Sequence, residues 1–543
     1  MNNFLRQLGD AMRASRHATW NATLALALLG LGSQAYAAQS CESLATLSLS
    51  DTLITLAQTV PAGSFLPPDA LPGTGTAIPT DIPFPFCRVA GVLSPTPDSQ
   101  IRFEVWLPVG NNWNGKLNHG GSGAYGGSLS PAEGYMVQGL LRGYAVTGTD
   151  MGHVASITSG SWALGHPEKI ADWGWRANHV TSVTAKAIIE AFYGTAPRVS
   201  YFTGCSDGGH EALMEAQRFP DDYDGIVAGA SANYWTHQSA AWVSETRANT
   251  DDPASKIPGA KLPLITQAAV AACPGVLPSF IDDPTNCSFD PASLQCSAGD
   301  EPTCLTAAQV EAVRKIYAGP HNPRTAEEIY PGLEPGSEIY WGAFLGPNVF
   351  LGADFYKYFV FNDPNWNFHT LDFDHDIAYA DAKMQSIIDS TNPNLSAFKA
   401  RGSKLIIYHG WADSLVNPMN SVNYFESVVA TERPGNGRGV GEDRVALRRA
   451  QEYVRLFMVP GMAHCGLGGV GLNTFDSLSA IEDWVERGIA PDSLEASHTT
   501  LLWPIDVSTQ TAGDFSRPVC AYPKVAKWTG RGSPADAVNF VCE

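Results

Sequence analysis

A serine between glycines lies in a setting that could make it a nucleophile. Residues 204–208 read Gly-Cys-Ser-Asp-Gly and fit the pattern G-x-S-x-G around Ser206. The residues before this turn (198–204) favour a buried strand, and those after it favour a helix. A serine on such a turn is exposed for attack, and the helix N-terminus offers free N–H groups to a developing oxyanion. The pattern also occurs in ordinary glycine-rich turns, so it needs partners before it indicates catalysis.

A serine nucleophile needs a base and an orienting carboxylate, and candidates for both follow later in the chain. Asp413 comes just after a predicted strand at 404–410, where parallel-sheet enzymes carry their functional loops. His464 lies in a glycine-rich loop after the next predicted strand, 453–461. Each alone could be an ordinary turn or surface residue. The order serine, aspartate, histidine is the one that enzymes with this serine turn use, so the three together favour a catalytic triad.

Two cysteines flank the proposed nucleophile and base. Cys205 directly precedes Ser206, and Cys465 directly follows His464. If the serine and the histidine are hydrogen-bonded, their neighbours come close enough for a disulfide, which needs Cα atoms about 4.4–6.8 Å apart. Such a bond would hold base and nucleophile in register; two unrelated buried thiols are the alternative. The chain has 10 cysteines and no CxxC pair, which favours disulfides over a zinc ribbon or a thioredoxin-type site.

The elements around these residues predict an α/β fold. Candidate strands alternate with helical patterns, which predicts a parallel sheet covered by helices on both faces. The chain that follows the signal segment, to about residue 100, is rich in Pro, Gly and Thr and is expected to form an irregular N-terminal wrap. From about residue 240 to 398 the alternation gives way to Pro-rich loops, short helices and four cysteines, which indicates an insertion. The predicted strands are 101–108, 116–121, 143–150, 198–204, 223–230, 404–410 and 453–461, and the predicted helices are 178–194 and 209–219.

Composition and the N-terminus indicate an exported soluble protein. The 543-residue chain is 44% apolar, and its formal net charge of -20 disfavours both nucleic acid and anionic membranes as partners. Residues 1–37 have the pattern of a secretory signal peptide, with arginines, a short apolar run and the cleavage site Ala35-Tyr36-Ala37. A membrane anchor is the alternative, but the apolar run is too short to span a bilayer. We therefore expect a secreted or periplasmic protein.

Together these motifs resemble the tannase and feruloyl esterase family of α/β-hydrolases, which includes the mono(2-hydroxyethyl) terephthalate hydrolases. The pairs Cys205-Ser206 and His464-Cys465 carry the likeness, together with the segments 162–194 and 204–235. It extends over nearly all of the chain after the signal segment. The resemblance implies an α/β-hydrolase catalytic domain at 38–240 and 399–543 with a large inserted lid domain at 241–398. It also implies the disulfide pairs Cys205–Cys465, Cys41–Cys87, Cys273–Cys287, Cys296–Cys304 and Cys520–Cys542.

The expected reaction is carboxylic ester hydrolysis through an acyl-enzyme. Ser206 would attack the ester, His464 would act as base, and Asp413 would orient His464. The oxyanion would be held by the N–H of Asp207, the residue after the nucleophile, and by a second N–H from a glycine-rich turn.

For that second N–H the sequence favours Gly121, with Gly120 as the next choice. The same turn could instead do no more than join a strand to a helix. The side chain of Asp207 is expected to face solvent or to cap the helix, with no chemical role.

The substrate is expected to be a small aromatic-acid ester of the feruloyl or galloyl type. The lid is rich in aromatic residues, and Trp366 and Phe368 are candidates for stacking on the acid, with Val416 lining the pocket. These aromatics could equally form the core of the lid itself. The alternatives are hydrolysis of terephthalate monoesters on the same machinery and a catalytically silent binding protein, which the intact triad disfavours.

No cofactor or metal is expected. Lids of the family usually hold calcium between their first two cysteines, but here that segment offers only Asp282 and Asp283. Calcium needs about 6–8 oxygen ligands, so the usual site is expected to be absent. The two aspartates would then only begin a turn before Pro284. The oligomeric state is left open by the sequence.

Overall fold

The computed structural model describes residues 39–69, 79–343, 350–434, 440–499 and 514–543. The predicted signal peptide, residues 1–37, lies outside the described residues. The described residues belong to one compact unit, which includes those of the predicted insertion. None of the described helices combines the length and the apolarity that a membrane crossing requires.

A nine-stranded sheet forms the centre of the molecule. Its strand order is β1-β4-β5-β7-β6-β8-β9-β10-β11, and three pairs of short strands form separate two-stranded sheets. The strands are β1 Thr52–Val60, β2 Gly63–Phe65, β3 Thr80–Ile82, β4 Phe86–Leu93, β5 Ile101–Pro108, β6 Lys116–Gly120, β7 Ala145–Thr149, β8 Val199–Cys205, β9 Gly225–Gly229, β10 Lys404–Gly410, β11 Val454–Val459, β12 Ser493–Ser497, β13 Ser516–Cys520, β14 Ala526–Trp528 and β15 Phe540–Cys542.

The sheet is mixed, which corrects the prediction of a wholly parallel one. Strands β7, β6, β8, β9, β10 and β11 are parallel neighbours. Strands β1, β4, β5 and β7 pair antiparallel. The parallel half arises because helices connect its strands, whereas β4 and β5 follow each other through a short link and pair as a hairpin.

The N-terminal part of the chain is more regular than predicted. Strands β1 and β4 form the edge of the main sheet, paired from Thr52 opposite Leu93 to Val60 opposite Phe86. The expectation of an irregular wrap between the signal segment and about residue 100 is therefore wrong. In β4 buried and half-buried residues alternate, as a strand with one face on the core requires. The many Pro and Gly residues between these strands favoured an irregular structure in the prediction, so the alternation was not recognised.

Helices cover both faces of the sheet. Met136 of α1 and Trp484 of α14 pack in one cluster with sheet residues such as Ile406, while Leu213 of α4 and Phe425 of α12 pack with residues of the opposite face. The α-helices are α1 Ser130–Leu141, α2 Pro167–Ala171, α3 Ala177–Tyr193, α4 Asp207–Arg218, α5 Trp235–Thr250, α6 Leu262–Ala272, α7 Ala307–Ala318, α8 Phe350–Asp354, α9 His375–Ala380, α10 Ser386–Ile388, α11 Ser396–Arg401, α12 Pro418–Thr431, α13 Val440–Ala450 and α14 Ser477–Arg487.

A long segment separates two strands that are neighbours in the sheet. Strands β9 and β10 pair from Gly225 opposite Lys404 to Gly229 opposite Tyr408. In its described part, the segment 230–403 between them adds no strand to the main sheet and carries helices α5–α11. We call this segment the insertion. It contacts the loop that follows β10, since the indole N–H of Trp242 donates to the carbonyl oxygen of Leu415 (2.7 Å).

Candidate active site

Ser206 lies on a strained turn between β8 and α4. Its backbone angles are φ 66° and ψ -121°, a conformation that L-residues other than glycine rarely adopt. The turn closes only because its neighbours are small: a Cβ added to Gly204 would lie 2.3 Å from the carbonyl oxygen of Gly208. The backbone N–H of Ser206 donates to the carbonyl oxygen of Gly229 (2.9 Å), which ties the turn to the adjacent strand.

Asp413 and His464 are in direct contact. His464 Nδ1 lies 2.7 Å from Asp413 Oδ2, and the carboxylate is fully buried. The other carboxylate oxygen accepts the backbone N–H groups of Leu415 (2.8 Å) and Val416 (3.0 Å). Burial alone would raise the pKa of Asp413, but nearby His464 and hydrogen bonds from His409 and His464 hold it well below its usual value. The carboxylate is therefore charged and fixed, as an orienting group for an imidazole must be.

His409 is a part of this site that the sequence analysis missed. The buried His409 Nε2 lies 3.2 Å from Asp413 Oδ2 and 2.9 Å from the carbonyl oxygen of Val416, and its Nδ1 lies 2.8 Å from Ser421 Oγ. Because a carbonyl oxygen only accepts, Nε2 carries the proton and donates. The one available signal was its position near the end of β10, four residues before Asp413.

A disulfide joins the turn of Ser206 to the loop of His464. The Cα atoms of Cys205 and Cys465 are 6.0 Å apart, within the range that the sequence argument requires. Cys465 has φ 55°, so the histidine loop also contains a left-handed non-glycine residue. Among the described residues every cysteine is paired, in the pattern that the resemblance implies. The other bonds are Cys41–Cys87, Cys273–Cys287, Cys296–Cys304 and Cys520–Cys542.

The turn after β6 approaches the helix that follows Ser206. Two of its N–H groups donate to protein acceptors, including the one that we predicted to bind the oxyanion. The N–H of Gly121 donates to the carbonyl oxygen of Thr203 (2.9 Å), and the N–H of Ser122 donates to Glu211 Oε2 (3.0 Å). The contact of Gly121 corrects its assignment as an oxyanion donor, because that N–H already completes the sheet. In the described part of the chain, the N–H of Gly123 has no acceptor.

The side chain of Asp207 is buried, contrary to the expectation that it faces solvent or caps the helix. It is 0% exposed. Its Oδ2 accepts the indole N–H of Trp173 (3.1 Å), and its Oδ1 accepts the indole N–H of Trp235 (3.2 Å) and lies 3.1 Å from His210 Nδ1. Trp173 lies in a π-helical turn at Asp172–Arg176, between α2 and α3. Asp207 thus anchors the start of α4 to two other elements, while its own N–H has no acceptor among the described residues.

The residues predicted to bind substrate lie in two places. The ring of Trp366 stacks on Tyr356 with centroids 5.4 Å apart, and the ring of Phe368 packs on His369 with centroids 4.0 Å apart. Both are therefore packed on aromatic residues of the insertion. Val416 is 1% exposed, and its backbone N–H donates to Asp413 Oδ1 (3.0 Å).

An aromatic cluster that the sequence analysis did not single out lies beside the turn of Ser206. The ring centroid of Tyr125 is 5.2 Å from that of Trp235 and 5.4 Å from that of Phe359. Trp235 also reaches Asp207, as described above, so the cluster joins the insertion to the start of α4. The periodic patterns that predict strands and helices cannot reveal this cluster, because its members come from three distant segments of the chain.

The segment between Cys273 and Cys287 does not suit calcium. Asp282 Oδ1 accepts a guanidinium N–H of Arg517 (2.5 Å), and Asp283 accepts from the N–H of Thr285 (3.1 Å) and from Asn286 (2.8 Å). Arg517 is buried, so its positive charge lies where a cation would have to bind. Asp283 begins the short turn at Pro284–Asn286. Two engaged carboxylates cannot supply the oxygen ligands that calcium needs.

Comparison with known proteins places the chain in a family. The family model for tannase and feruloyl esterase matches residues 87–543. An uncharacterized esterase from Xanthomonas campestris pv. campestris is 40% identical, over 95% of this chain and 93% of its own length. A probable feruloyl esterase B-1 from Aspergillus fumigatus is 31% identical, over 89% and 91% of the two chains. The crystal structure of feruloyl esterase B from Aspergillus oryzae superposes with a TM-score of 0.80 and 28% identity, covering 93% of this chain and 99% of that one.

These likenesses extend over nearly the whole of each relative, and the superposition includes both the sheet and the insertion. The chain therefore belongs to the tannase and feruloyl esterase family and is a carboxylic ester hydrolase with the α/β-hydrolase fold.

Proposed function

We propose that the protein is a secreted serine esterase that hydrolyses esters of aromatic acids, of the feruloyl or galloyl type, through an acyl-enzyme. The observation that carries the proposal is the contact of His464 with buried Asp413, in a loop that a disulfide ties to the residue before Ser206. This arrangement supports a nucleophile, a base and an orienting acid that act together from three separate loops.

In the acylation step, Ser206 Oγ attacks the ester carbonyl carbon while His464 Nε2 takes its proton. Asp413 accepts the Nδ1–H of His464, which fixes the tautomer with a free Nε2 and stabilises the imidazolium that forms. The tetrahedral intermediate collapses when His464 returns the proton to the alcohol oxygen, which leaves with the alcohol. The aromatic acid remains esterified to Ser206.

In the deacylation step, a water molecule replaces the alcohol. His464 Nε2 takes a proton from the water as its oxygen attacks the acyl carbon, and then returns it to Ser206 Oγ. The acid is released and the free serine is restored. The charged state of Asp413 serves both steps, because His464 becomes positive in each.

For the oxyanion we propose the backbone N–H groups of Asp207 and Gly123. Both are without an acceptor among the described residues, whereas the N–H groups of Gly121 and Ser122 are engaged. The N–H of Asp207 also lies at the N-terminus of α4, where the helix dipole favours negative charge.

The proposed acyl group rests on the names of the relatives and on the aromatic residues of the insertion. The named relatives include probable feruloyl esterases, and aromatic residues of the insertion lie around the turn of Ser206. We propose that the insertion acts as a lid and that Trp366 and Phe368 contribute to the aromatic surface that receives the acid. Val416 contributes by holding Asp413.

The same proposal includes that the protein is exported and that it needs no cofactor. Five disulfides are typical of proteins that fold in oxidising compartments, which agrees with a signal peptide at residues 1–37. No step of the reaction uses a metal or an organic cofactor.

The test is a set of initial rates on methyl ferulate, methyl gallate and mono(2-hydroxyethyl) terephthalate, with Ser206→Ala as the control. The proposal predicts the higher kcat/KM on ferulate or gallate and no turnover by the variant. A preference for the terephthalate ester would refute the feruloyl or galloyl assignment and support hydrolysis of terephthalate monoesters instead. Wild-type rates from Ser206→Ala would refute the nucleophile.

A further inference from the structure

Ser122 lies between two buried carboxyl groups of α4. Its Oγ is hydrogen-bonded to Glu211 Oε1 and lies 3.3 Å from Asp207 Oδ2, while its N–H donates to Glu211 Oε2 (3.0 Å). All three residues are nearly inaccessible to solvent: Ser122 is 3% exposed, Asp207 0% and Glu211 2%. The turn after β6 is thus attached to α4 by its hydroxyl as well as by its backbone.

The protons on this chain of groups can be counted. A serine hydroxyl has a single proton, so Ser122 can donate to only one of its two carboxyl neighbours. Each oxygen of Asp207 accepts an indole N–H, and an indole N–H is a donor only. The second of the two Ser122 contacts therefore needs a proton from a carboxyl group, since two oxygens without a proton between them would otherwise face each other.

The surroundings of Glu211 favour the neutral carboxyl. Burial raises the pKa of Glu211 well above its usual value, and the negative charge of Asp207 raises it further. Hydrogen bonds from Ser122 and Asn178 oppose this effect but do not reverse it. The protonated acid then donates from Oε1 to Ser122 Oγ, and Ser122 donates in turn to Asp207 Oδ2.

We propose that Glu211 is a positioning residue that works as a neutral carboxylic acid, and that the chain Glu211–Ser122–Asp207 aims the N–H of Gly123 at the oxyanion. The inference rests on the proposed function, because it deepens the account of the same oxyanion site. Ser122 is the residue directly before Gly123, and Asp207 carries the other proposed N–H, so the chain connects the two sides of the oxyanion site.

The geometry explains why both contacts of Glu211 matter. With Oε2 accepting the Ser122 N–H, that N–H cannot turn toward the substrate, and the next N–H along the turn is left free. The close approach of this turn to α4 leaves no room for another arrangement, since a Cβ on Gly121 would lie 2.7 Å from the Cα of Gly208. Loss of one oxyanion donor costs about 10²–10³ in kcat in enzymes of this type.

The experiment compares Glu211→Ala, Glu211→Gln and Ser122→Ala in the full-length mature protein, with methyl ferulate as substrate. A glutamine has the shape of the neutral acid, with an N–H for Ser122 Oγ and a carbonyl oxygen for the Ser122 N–H. We expect Glu211→Ala to lower kcat by about 10²-fold with little change in KM. Glu211→Gln should restore most of that loss, and Ser122→Ala should lower kcat by about tenfold.

The thermal midpoint of each variant and the circular dichroism of the folded protein accompany the kinetics. If Glu211→Ala does not fold, Glu211→Gln and Ser122→Ala decide the question. A loss in Glu211→Gln as large as in Glu211→Ala would overturn the proposal, because it would require a charged carboxylate. A Glu211→Ala variant with wild-type kcat and a lowered midpoint would overturn it too, since the role would be structural only.

An infrared measurement separates this inference from the proposed function. The wild-type spectrum should contain the C=O band of a buried protonated carboxyl, which Glu211→Gln lacks. If no ester is hydrolysed by the wild-type protein, the proposed function fails, but the band still decides whether Glu211 is neutral. Absence of any difference between the two spectra would overturn the proposal whatever the kinetics show.

Discussion

Cys205 and Cys465, separated by 260 positions in the chain, are joined by a disulfide whose Cα atoms are 6.0 Å apart. The bond therefore connects the residue before Ser206 to the residue after His464. A residue at or next to each end has an unusual backbone angle: φ is 66° at Ser206, which follows Cys205, and 55° at Cys465 itself. A covalent link at this place restricts the relative position of two strained turns, and that position is what the proposed proton transfer depends on.

Replacement of both cysteines by serine should lower kcat, apart from any loss of stability. A displacement of the base by about 1 Å can cost about 10²-fold in rate, so we expect a loss of that size in kcat for Cys205→Ser with Cys465→Ser. The matched control is Cys520→Ser with Cys542→Ser, which opens a bond in the C-terminal strands. Steady-state kinetics and thermal midpoints of both double variants test this. Equal losses of kcat in the two would contradict a specific role for the bond.

His409→Ala should lower kcat with little effect on KM. The variant removes one of the hydrogen bonds that hold the Asp413 carboxylate, and a hydrogen bond to a charged group contributes about 1.5–3 kcal/mol, or about 10–100-fold in rate. Ser421→Ala is the graded control, because it removes only the partner of His409 Nδ1 (2.8 Å) and should have a smaller effect. A His409→Ala enzyme with wild-type kcat would show that Asp413 is positioned without it.

Much of the sheet was predictable because the local sequence pattern of a strand is enough to identify it. The strands Ile101–Pro108 and Lys404–Gly410 have the predicted bounds, since the first begins with alternating apolar and charged residues and the second is mainly a short apolar run. The order of the proposed triad and the pairing of Cys205 with Cys465 also came from the sequence. The disulfide is present in the structure, while the catalytic roles stay predictions until they are tested.

What the sequence missed depends on tertiary contacts. Whether the N–H of Gly121 or of Gly123 is free is decided by Thr203 and Glu211, which lie more than 80 positions away in the chain. The burial of Asp207 likewise depends on two distant tryptophans. A local motif identifies the turn but not which of its hydrogen bonds are already made, so these assignments required the fold.

The buried Glu133 should make the protein less stable as the pH rises. Burial raises the pKa of Glu133 from 4.5 to about 8, and the charges of Asp69 and Glu104 add to the effect. Between these two pH values the folded protein holds a proton that the unfolded chain has lost. The free energy of unfolding should therefore fall with pH across this window, by up to about 1.4 kcal/mol per pH unit.

Urea unfolding of wild-type protein and Glu133→Gln between pH 4.5 and 8 checks this contribution. The variant should show a shallower fall with pH than the wild type. Glu495→Gln, at an exposed position, is the control and should follow the wild-type curve. Parallel curves for wild type and Glu133→Gln would contradict the assignment of the slope to Glu133.

Removal of calcium should change neither activity nor stability. Asp282 is paired with the buried Arg517 guanidinium at 2.5 Å, so the segment that would hold the ion is already neutralised by a side chain. We expect the same kcat and the same thermal midpoint with EDTA and with added calcium. By contrast, Asp282→Asn should lower the midpoint in both buffers, because it leaves Arg517 without its partner. A midpoint that falls with EDTA and returns with calcium would contradict this account.

The most direct test of the central claim is identification of the acylated residue. Wild-type protein is mixed with excess methyl ferulate, quenched in acid during steady-state turnover, digested and analysed by mass spectrometry, with Ser206→Ala treated in parallel. The account predicts a feruloyl ester on the peptide that contains Ser206, and no adduct in the variant. Ferulate release without any acylation of Ser206, or an adduct on another residue that persists in Ser206→Ala, would contradict it.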